Sequence, residues 1–163
     1  MKDLLPDLLA PNLKLVFCGT APSTASAAAK AYYAKPGNKF WPSLHAVGIT
    51  PRQFAPAEYR TLLTLSIGFT DLCKHVAGTD AQLPKDAFDV DAVSAKLKKY
   101  TPAIVAFTSK NAAQSYLGHG VEYGWQRGQA GEATAIFVLP SPSGLATRFF
   151  NIDIWRELAD AIK

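Results

Sequence analysis

The fold is decided by residues 13–23, which read LKLVFC-GTAPS. The first six are short and mostly apolar, as expected for a buried strand of a parallel sheet, and the last five are small residues that suit a tight turn. A second such pair lies near the other end of the chain, where AIFVL (135–139) precedes PSPSGL (140–145). Ligands bind beyond the carboxyl ends of strands in open α/β sheets. The two loops are therefore predicted to form two walls of one ligand site.

Two further apolar runs bring the strand candidates to four, and amphipathic helical patterns separate them. The strand candidates are 14–18, 63–69, 103–108 and 135–139, and the helix candidates are 25–33, 38–47, 51–63, 90–100, 109–117 and 153–162. Alternating strands and helices predict one domain over 1–163, an α/β three-layer fold with a central, mainly parallel four-stranded sheet flanked by helices. Residues 74–89 lack periodicity, and a loop of that length is usually functional or has local structure of its own.

Composition places the chain among globular proteins, with 48% hydrophobic and 18% charged residues. The net charge of +4 and a pI of about 9.1 suit an anionic partner such as nucleic acid, although many unrelated small proteins are equally basic. The apolar stretches are shorter than the ~20 residues that a membrane-spanning helix needs. Acids and a proline in residues 1–7 disfavour a signal peptide, and two cysteines suit a reducing compartment. We therefore expect a cytoplasmic protein with no membrane partner.

Metal binding is not predicted. The three histidines do not form a metal-ligand spacing with Cys, Asp or Glu, and no cofactor motif is present; they are His45, His75 and His119. Cys18 lies in a predicted buried strand, where a thiol is usually an inert core residue.

Four segments, in this order, resemble the uracil-DNA glycosylase superfamily. They are GTAPS (19–23), YAKPGNKFW (33–41), GFTDL (68–72) and PSPSGL (140–145). The resemblance covers nearly the whole chain and is closest to the mismatch-specific branch, the MUG and thymine-DNA glycosylase family. That family carries Gly-x-Asn-Pro-Gly after its first strand and Asn-Pro-Ser-Gly-Leu after its last. The resemblance implies a monomeric enzyme that flips a mismatched or damaged base out of double-stranded DNA and hydrolyses its N-glycosidic bond, without metal or cofactor.

The resemblance also implies roles for individual residues. Tyr33 is expected to stack on the flipped base, with the adjacent Tyr32 as the alternative. Leu145 is expected to enter the DNA double helix as a wedge, in the gap that the base leaves. The base is expected to meet the backbone amides of the first loop, at Thr20, Ala21 and Ser23. Phosphate is expected to meet the second loop and the nearest cation, at Ser141, Ser143, Gly144 and Arg148.

Two departures from the family pattern affect the chemistry. Ala21 stands where the family has the Asn thought to position the attacking water, and Ser141 replaces the Asn of the second motif. Asp71, at the end of the second predicted strand, is the best candidate to replace the lost Asn. Its carboxylate could activate water or stabilise an oxocarbenium-like sugar. The alternative is a turn or helix-cap aspartate.

These observations predict a DNA glycosylase of base excision repair that excises uracil. Thymine or another damaged base is a further predicted substrate. A non-catalytic protein that binds lesions or abasic sites is the main alternative, because the motif Asn is absent. An unrelated small α/β hydrolase or nucleotide-binding protein is disfavoured, since the chain has neither a P-loop nor a Gly-x-Ser-x-Gly nucleophile elbow.

Overall fold

A single five-stranded sheet forms the centre of the computed structural model, which describes residues 2–130 and 133–163, except the side chains of Lys85, Gln129 and Ala130. Its strands are β1 (Leu15–Gly19), β2 (Ile67–Asp71), β3 (Ile104–Phe107), β4 (Gly124–Ala130) and β5 (Thr134–Val138). The spatial order is β2-β1-β3-β5-β4, with β4 antiparallel to β5 and the other neighbours parallel. The predicted fold class is confirmed, with five strands rather than four.

Strand β4 escaped prediction because its sequence, GWQRGQA, has neither alternation nor a continuous apolar run. It lies at an edge of the sheet, where β5 is its neighbour among the described strands. The large apolar residue that anchors it is Trp125, whose ring packs edge-on against Phe137 with centroids 4.9 Å apart.

Helices cover both faces of the sheet. The α-helices are α1 (Thr24–Ala29), α2 (Phe40–Ala46), α3 (Val90–Tyr100), α4 (Lys110–Leu117) and α5 (Ile152–Ala161), and 3₁₀ helices span Pro56–Leu65, Asp80–Gln82, Lys85–Ala87 and Gly144–Phe149. Four of the α-helices begin at a side chain that accepts a backbone N–H of the first turn, namely Ser23, Asp89, Ser109 and Asn151. No helix among the described residues is long and apolar enough to cross a bilayer.

Three predicted elements differ from the structure. The strand predicted at 63–69 begins only at Ile67, because residues up to Leu65 belong to a 3₁₀ helix and Ser66 reverses the chain with a φ of 64°. The helix predicted at 51–63 is that 3₁₀ helix, Pro56–Leu65. The helix predicted at 25–33 ends at Ala29, because Lys30 adopts a left-handed conformation.

Side chains alternate between two apolar layers along each central strand. In β1, Phe17 faces a cluster that includes Phe40, Phe69 and Trp155, whereas Cys18 faces a cluster built on α3 and α4. Cys18 is fully buried, as predicted. This two-sided burial explains why the parallel strands read as continuous apolar runs.

The segment before β1 closes the outer edge of β2. Leu8 exchanges two backbone hydrogen bonds with Phe69, at 3.0 and 2.8 Å. This pairing also brings Asp7 to Thr70, whose hydroxyl donates to the Asp7 carboxylate at 2.8 Å.

Candidate functional site

A cavity of about 360 Å³ opens beyond the carboxyl ends of the parallel strands. The loops after β1 and β5 both line it, together with Asp71 at the end of β2 and Thr108 after β3. The volume lies within the range usual for small-molecule sites. The topology thus brings chain segments that are more than 100 residues apart in sequence to one pocket, as the rule for open α/β sheets predicts.

Most residues singled out in the sequence line this cavity. They are Thr20, Ala21, Ser23, Tyr33, Asp71, Ser141, Ser143 and Leu145. Gly144 and Arg148 do not. Gly144 lies beside the carbonyl of Gly37, and Arg148 is exposed with its guanidinium 5.3 Å from the centroid of the Phe149 ring. A role for these two in DNA binding stays a prediction.

In the loop after β1, the protein uses side chains for its own structure. The Thr20 hydroxyl donates to Asp80 at 2.7 Å, and Ser23 Oγ accepts the N–H of Ser26 at 3.0 Å as the cap of α1. Among the described residues, no acceptor is bonded to the N–H groups of Thr20, Ala21 or Ser23. Backbone amides are therefore the groups that this loop can offer to a ligand.

Tyr33 and Tyr32 have clearly different environments. Tyr33 is half-buried in the cavity wall; one face of its ring lies parallel to Phe40 with centroids 4.0 Å apart, so the opposite face is the one available to a base. Tyr32 is 2% exposed, stacks on Phe69 and donates its hydroxyl proton to the carbonyl of Pro6. Tyr33 also adopts a left-handed backbone conformation, with a φ of 54°. Such strain is rare in large residues and often accompanies functional positions.

Gly19 allows three polar side chains to converge on the floor of the cavity. A Cβ at this position would lie 2.8 Å from Asp71 Oδ1, 3.2 Å from the Tyr33 hydroxyl and 3.3 Å from Thr108 Oγ1. Tyr33 and Thr108 share a hydrogen bond of 2.9 Å. Any larger residue at 19 would displace this cluster, because the space that its side chain needs is already filled.

Asp71 lies almost out of contact with solvent at 4% exposure, and its Oδ2 has no hydrogen-bond partner among the described residues. Burial raises the pKa of this carboxyl to about 7, with the Lys74 ammonium, 3.9 Å from Oδ2, opposing the shift and the charge of Asp7 adding to it. Near neutral pH the side chain therefore exists in both protonated and ionised forms.

Beneath Asp71, charges of alternating sign lead to the surface. Lys74 is 8% exposed and lies 2.8 Å from Asp7, which in turn is 2.6 Å from Lys96. These ammonium groups hold the pKa of Asp7 below its usual value against the opposing effect of its burial. Lys74 lies nearer to Asp7 than to Asp71, at 2.8 Å against 3.9 Å, so its charge offsets the burial of Asp71 only in part.

The loop after β5 is held from both sides. The Lys39 N–H donates to the Pro142 carbonyl at 2.8 Å, and the Trp155 indole donates to the Pro140 carbonyl at 3.2 Å. The hydroxyls of Ser141 and Ser143 accept backbone N–H groups within the loop, each at 3.2 Å. The loop ends at the cavity rim in Leu145, which is 71% exposed on a well-supported backbone.

Known proteins share the sequence pattern and the fold of this chain. The family model of the uracil DNA glycosylase superfamily matches residues 6–159. The chain belongs to that superfamily. A solution NMR structure from Methanosarcina acetivorans, of a protein provisionally named a uracil DNA glycosylase, shares the fold with a TM-score of 0.66 and 23% sequence identity, covering 97% of this chain and 96% of that one.

Three residues in or beside the cavity were not predicted from the sequence. Thr108 could have been found, because it is the last residue of the strand predicted at 103–108 and so lies at the carboxyl end of that strand. Asp80 lies in the aperiodic stretch 74–89, which was recognised as unusual but offered no residue-level signal. Lys74 lies beside Asp71 and does not itself line the cavity; no sequence pattern pointed to it, because a buried lysine is recognised only once its charged partners are placed.

Proposed function

We propose that this chain is a DNA glycosylase of the mismatch-specific branch, which flips uracil out of mismatched double-stranded DNA and hydrolyses its N-glycosidic bond in base excision repair. Its substrates extend to thymine or another damaged base, and it acts as a monomer. The observation that carries the proposal is the shared cavity, which joins both motif loops, Tyr33 and Asp71 in a chain of this superfamily.

Three groups in the cavity support the base-flipping part of the proposal. An extruded base needs a pocket, an aromatic face and a group that fills the gap in the duplex. Tyr33 offers the face, where stacking on a base is worth ~1–3 kcal/mol. Leu145 stands exposed at the rim, where a wedge must stand. Lys35 is an exposed cation in the cavity wall and is suited to meet a phosphate.

Leaving-group stabilisation supplies the chemistry that remains without the motif Asn. Cleavage of the N-glycosidic bond places negative charge on the departing base. The N–H groups of Thr20, Ala21 and Ser23, which have no acceptor among the described residues, are preorganised donors for that charge, and such donors are usually a large part of catalysis. Asp71 lies on the same floor. Its raised pKa favours a protonated carboxyl that donates to the base over an ionised one that activates water.

Ala21 supports the alternative, a protein that binds lesions or abasic sites without cleaving. It lines the cavity at the position where the family carries its catalytic Asn, and a methyl group cannot hold a water molecule. A pocket without a water-positioning group would still accept a flipped base.

Incubation with labelled duplexes that carry U, T, hypoxanthine or xanthine opposite guanine tests the proposal and separates the two functions. Abasic sites should appear in the G:U duplex, and the rates on the other duplexes define the substrate range. Retained binding to abasic DNA with no base release from any duplex would favour the non-catalytic alternative.

A further inference from the structure

We propose that Asp80 is a second catalytic carboxylate, which holds the attacking water at the cavity rim in place of the Asn that Ala21 replaces. This inference rests on the proposed glycosylase function and adds a residue that no sequence motif assigned.

The Asp80 carboxylate is fixed from two sides. Its Oδ1 accepts the Thr20 hydroxyl at 2.7 Å, and its Oδ2 accepts the Asn111 amide at 2.7 Å. These donors come from the loop after β1 and from the first turn of α4, and Asp80 itself begins the 3₁₀ helix Asp80–Gln82, so the carboxylate has a defined position. The Gly78 N–H donates to the Pro22 carbonyl at 3.1 Å and ties the same loop to the cavity wall a second time.

Both oxygens retain acceptor capacity. A carboxylate has about four lone-pair sites, and the two hydrogen bonds use two of them. Asp80 is exposed and lines the cavity, so the remaining sites can accept hydrogen bonds from a water molecule there.

The position of Asp80 suits the sugar rather than the base. A flipped nucleotide enters base first, so groups on the floor meet the base and groups at the rim meet the sugar. Asp71, at 4% exposure, is on the floor, whereas Asp80 is exposed and is bonded to Thr20, the neighbour of Ala21. Two carboxyl groups in contrasting environments are the usual arrangement where one acts on the leaving group and the other on water.

The step balances as a hydrolysis. The water oxygen forms a bond to the sugar C1′, and its proton passes to Asp80. The N-glycosidic bond breaks, its electron pair leaves with the base, and the base takes up the proton of Asp71. Exchange with solvent then restores both carboxyl groups, and the products are free base and an abasic site.

The test measures single-turnover uracil release from a G:U duplex by the wild type, Asp80→Asn, Asn111→Ala and Asp86→Asn. Asp86 is an exposed acid of the same irregular stretch that does not line the cavity, so its variant controls for loss of one negative charge. Asn111→Ala keeps the carboxylate and removes one of its supports. Affinity for an abasic-site duplex is measured for each variant.

Asp80→Asn should slow release by about 10²-fold or more, within the usual contribution of acid–base assistance, and leave affinity within about threefold. Asn111→Ala should lose much less, and Asp86→Asn should match the wild type. The inference would be overturned if Asp80→Asn cleaved like the wild type. It would also be overturned if Asn111→Ala were as slow as Asp80→Asn, because the hydrogen bonds that hold Asp80, rather than its carboxylate, would then account for the loss. Absence of release by the wild type would instead reject the glycosylase function itself.

Discussion

Asp71 ends β2 with one carboxylate oxygen unbonded among the described residues, beside a lysine whose charge is shared with Asp7. Asp71→Asn should lower the single-turnover release rate by roughly 10²-fold, because an amide cannot transfer a proton. Since the acid form is the active one, the wild-type rate should decline above about pH 7, and the variant should lose that decline. A wild-type rate in a folded variant would make Asp71 a turn residue.

The same carboxyl group should make stability depend on pH. Its pKa is about 7 in the folded protein against 3.8 as the reference value, so between those values the folded state holds a proton that the unfolded state has lost. The free energy of unfolding should therefore fall as pH rises from 5 to 8. Asp7, with a lowered pKa, loses its contribution only at lower pH. Urea titrations of the wild type and Asp71→Asn should show a flatter dependence in the variant, and parallel slopes would contradict this.

How far single residues could be assigned from sequence depended on whether they lie in a motif. Tyr33, Leu145 and Ala21 were placed by the motif segments, and the structure puts all three in the cavity. The environment of Asp71 could not be predicted, because it depends on Lys74 and on Asp7, which reaches the site through the pairing of Leu8 with β2.

Among the elements, the loop after β5 and the 3₁₀ helix that follows it present Leu145 to solvent. Leu145→Ala should slow turnover on paired duplex more than on single-stranded DNA, because only the duplex has a gap to fill. Removal of an exposed side chain should leave the melting temperature nearly unchanged. Equal losses on both substrates would mean that the residue is not a wedge.

The N-terminal segment and β2 meet at Gly68, where a Cβ would lie 2.2 Å from the Leu8 carbonyl oxygen. Gly68→Ala should therefore break the pairing at the sheet edge and destabilise the protein by about 1–3 kcal/mol, the usual range for overpacking. Gly120→Ala is the matched control, because a Cβ there meets nothing within 4 Å. Similar unfolding midpoints for the two variants would show that the edge pairing is not needed.

Elements with strong periodicity were predicted well, and those defined by tertiary contacts were not. Helix α3 was predicted with its observed bounds, Val90–Tyr100, because its apolar face and its cap are local signals. Strand β4 was missed, because its sequence has neither alternation nor a continuous apolar run. The 3₁₀ helix at Pro56–Leu65 was predicted with other bounds, because a 3₁₀ helix lacks a period of 3.6 residues.

For the molecule as a whole, the sheet topology explains why two short loops sufficed to locate the cavity. Parallel strands present their carboxyl ends at one edge, so β1, β2, β3 and β5 all deliver their following residues there. The chain order of the segments therefore predicted their convergence, although it did not reveal that Asp80 also lines the cavity.

The central claim is that this cavity cleaves the N-glycosidic bond of uracil without the motif Asn and without metal. The most direct measurement is single-turnover release of free uracil from a G:U duplex in EDTA, detected by mass spectrometry, with a G:C duplex as the control. The account predicts uracil release from G:U at a rate that EDTA does not change, and no base release from G:C. No uracil release, or release that requires added zinc or magnesium, would contradict it.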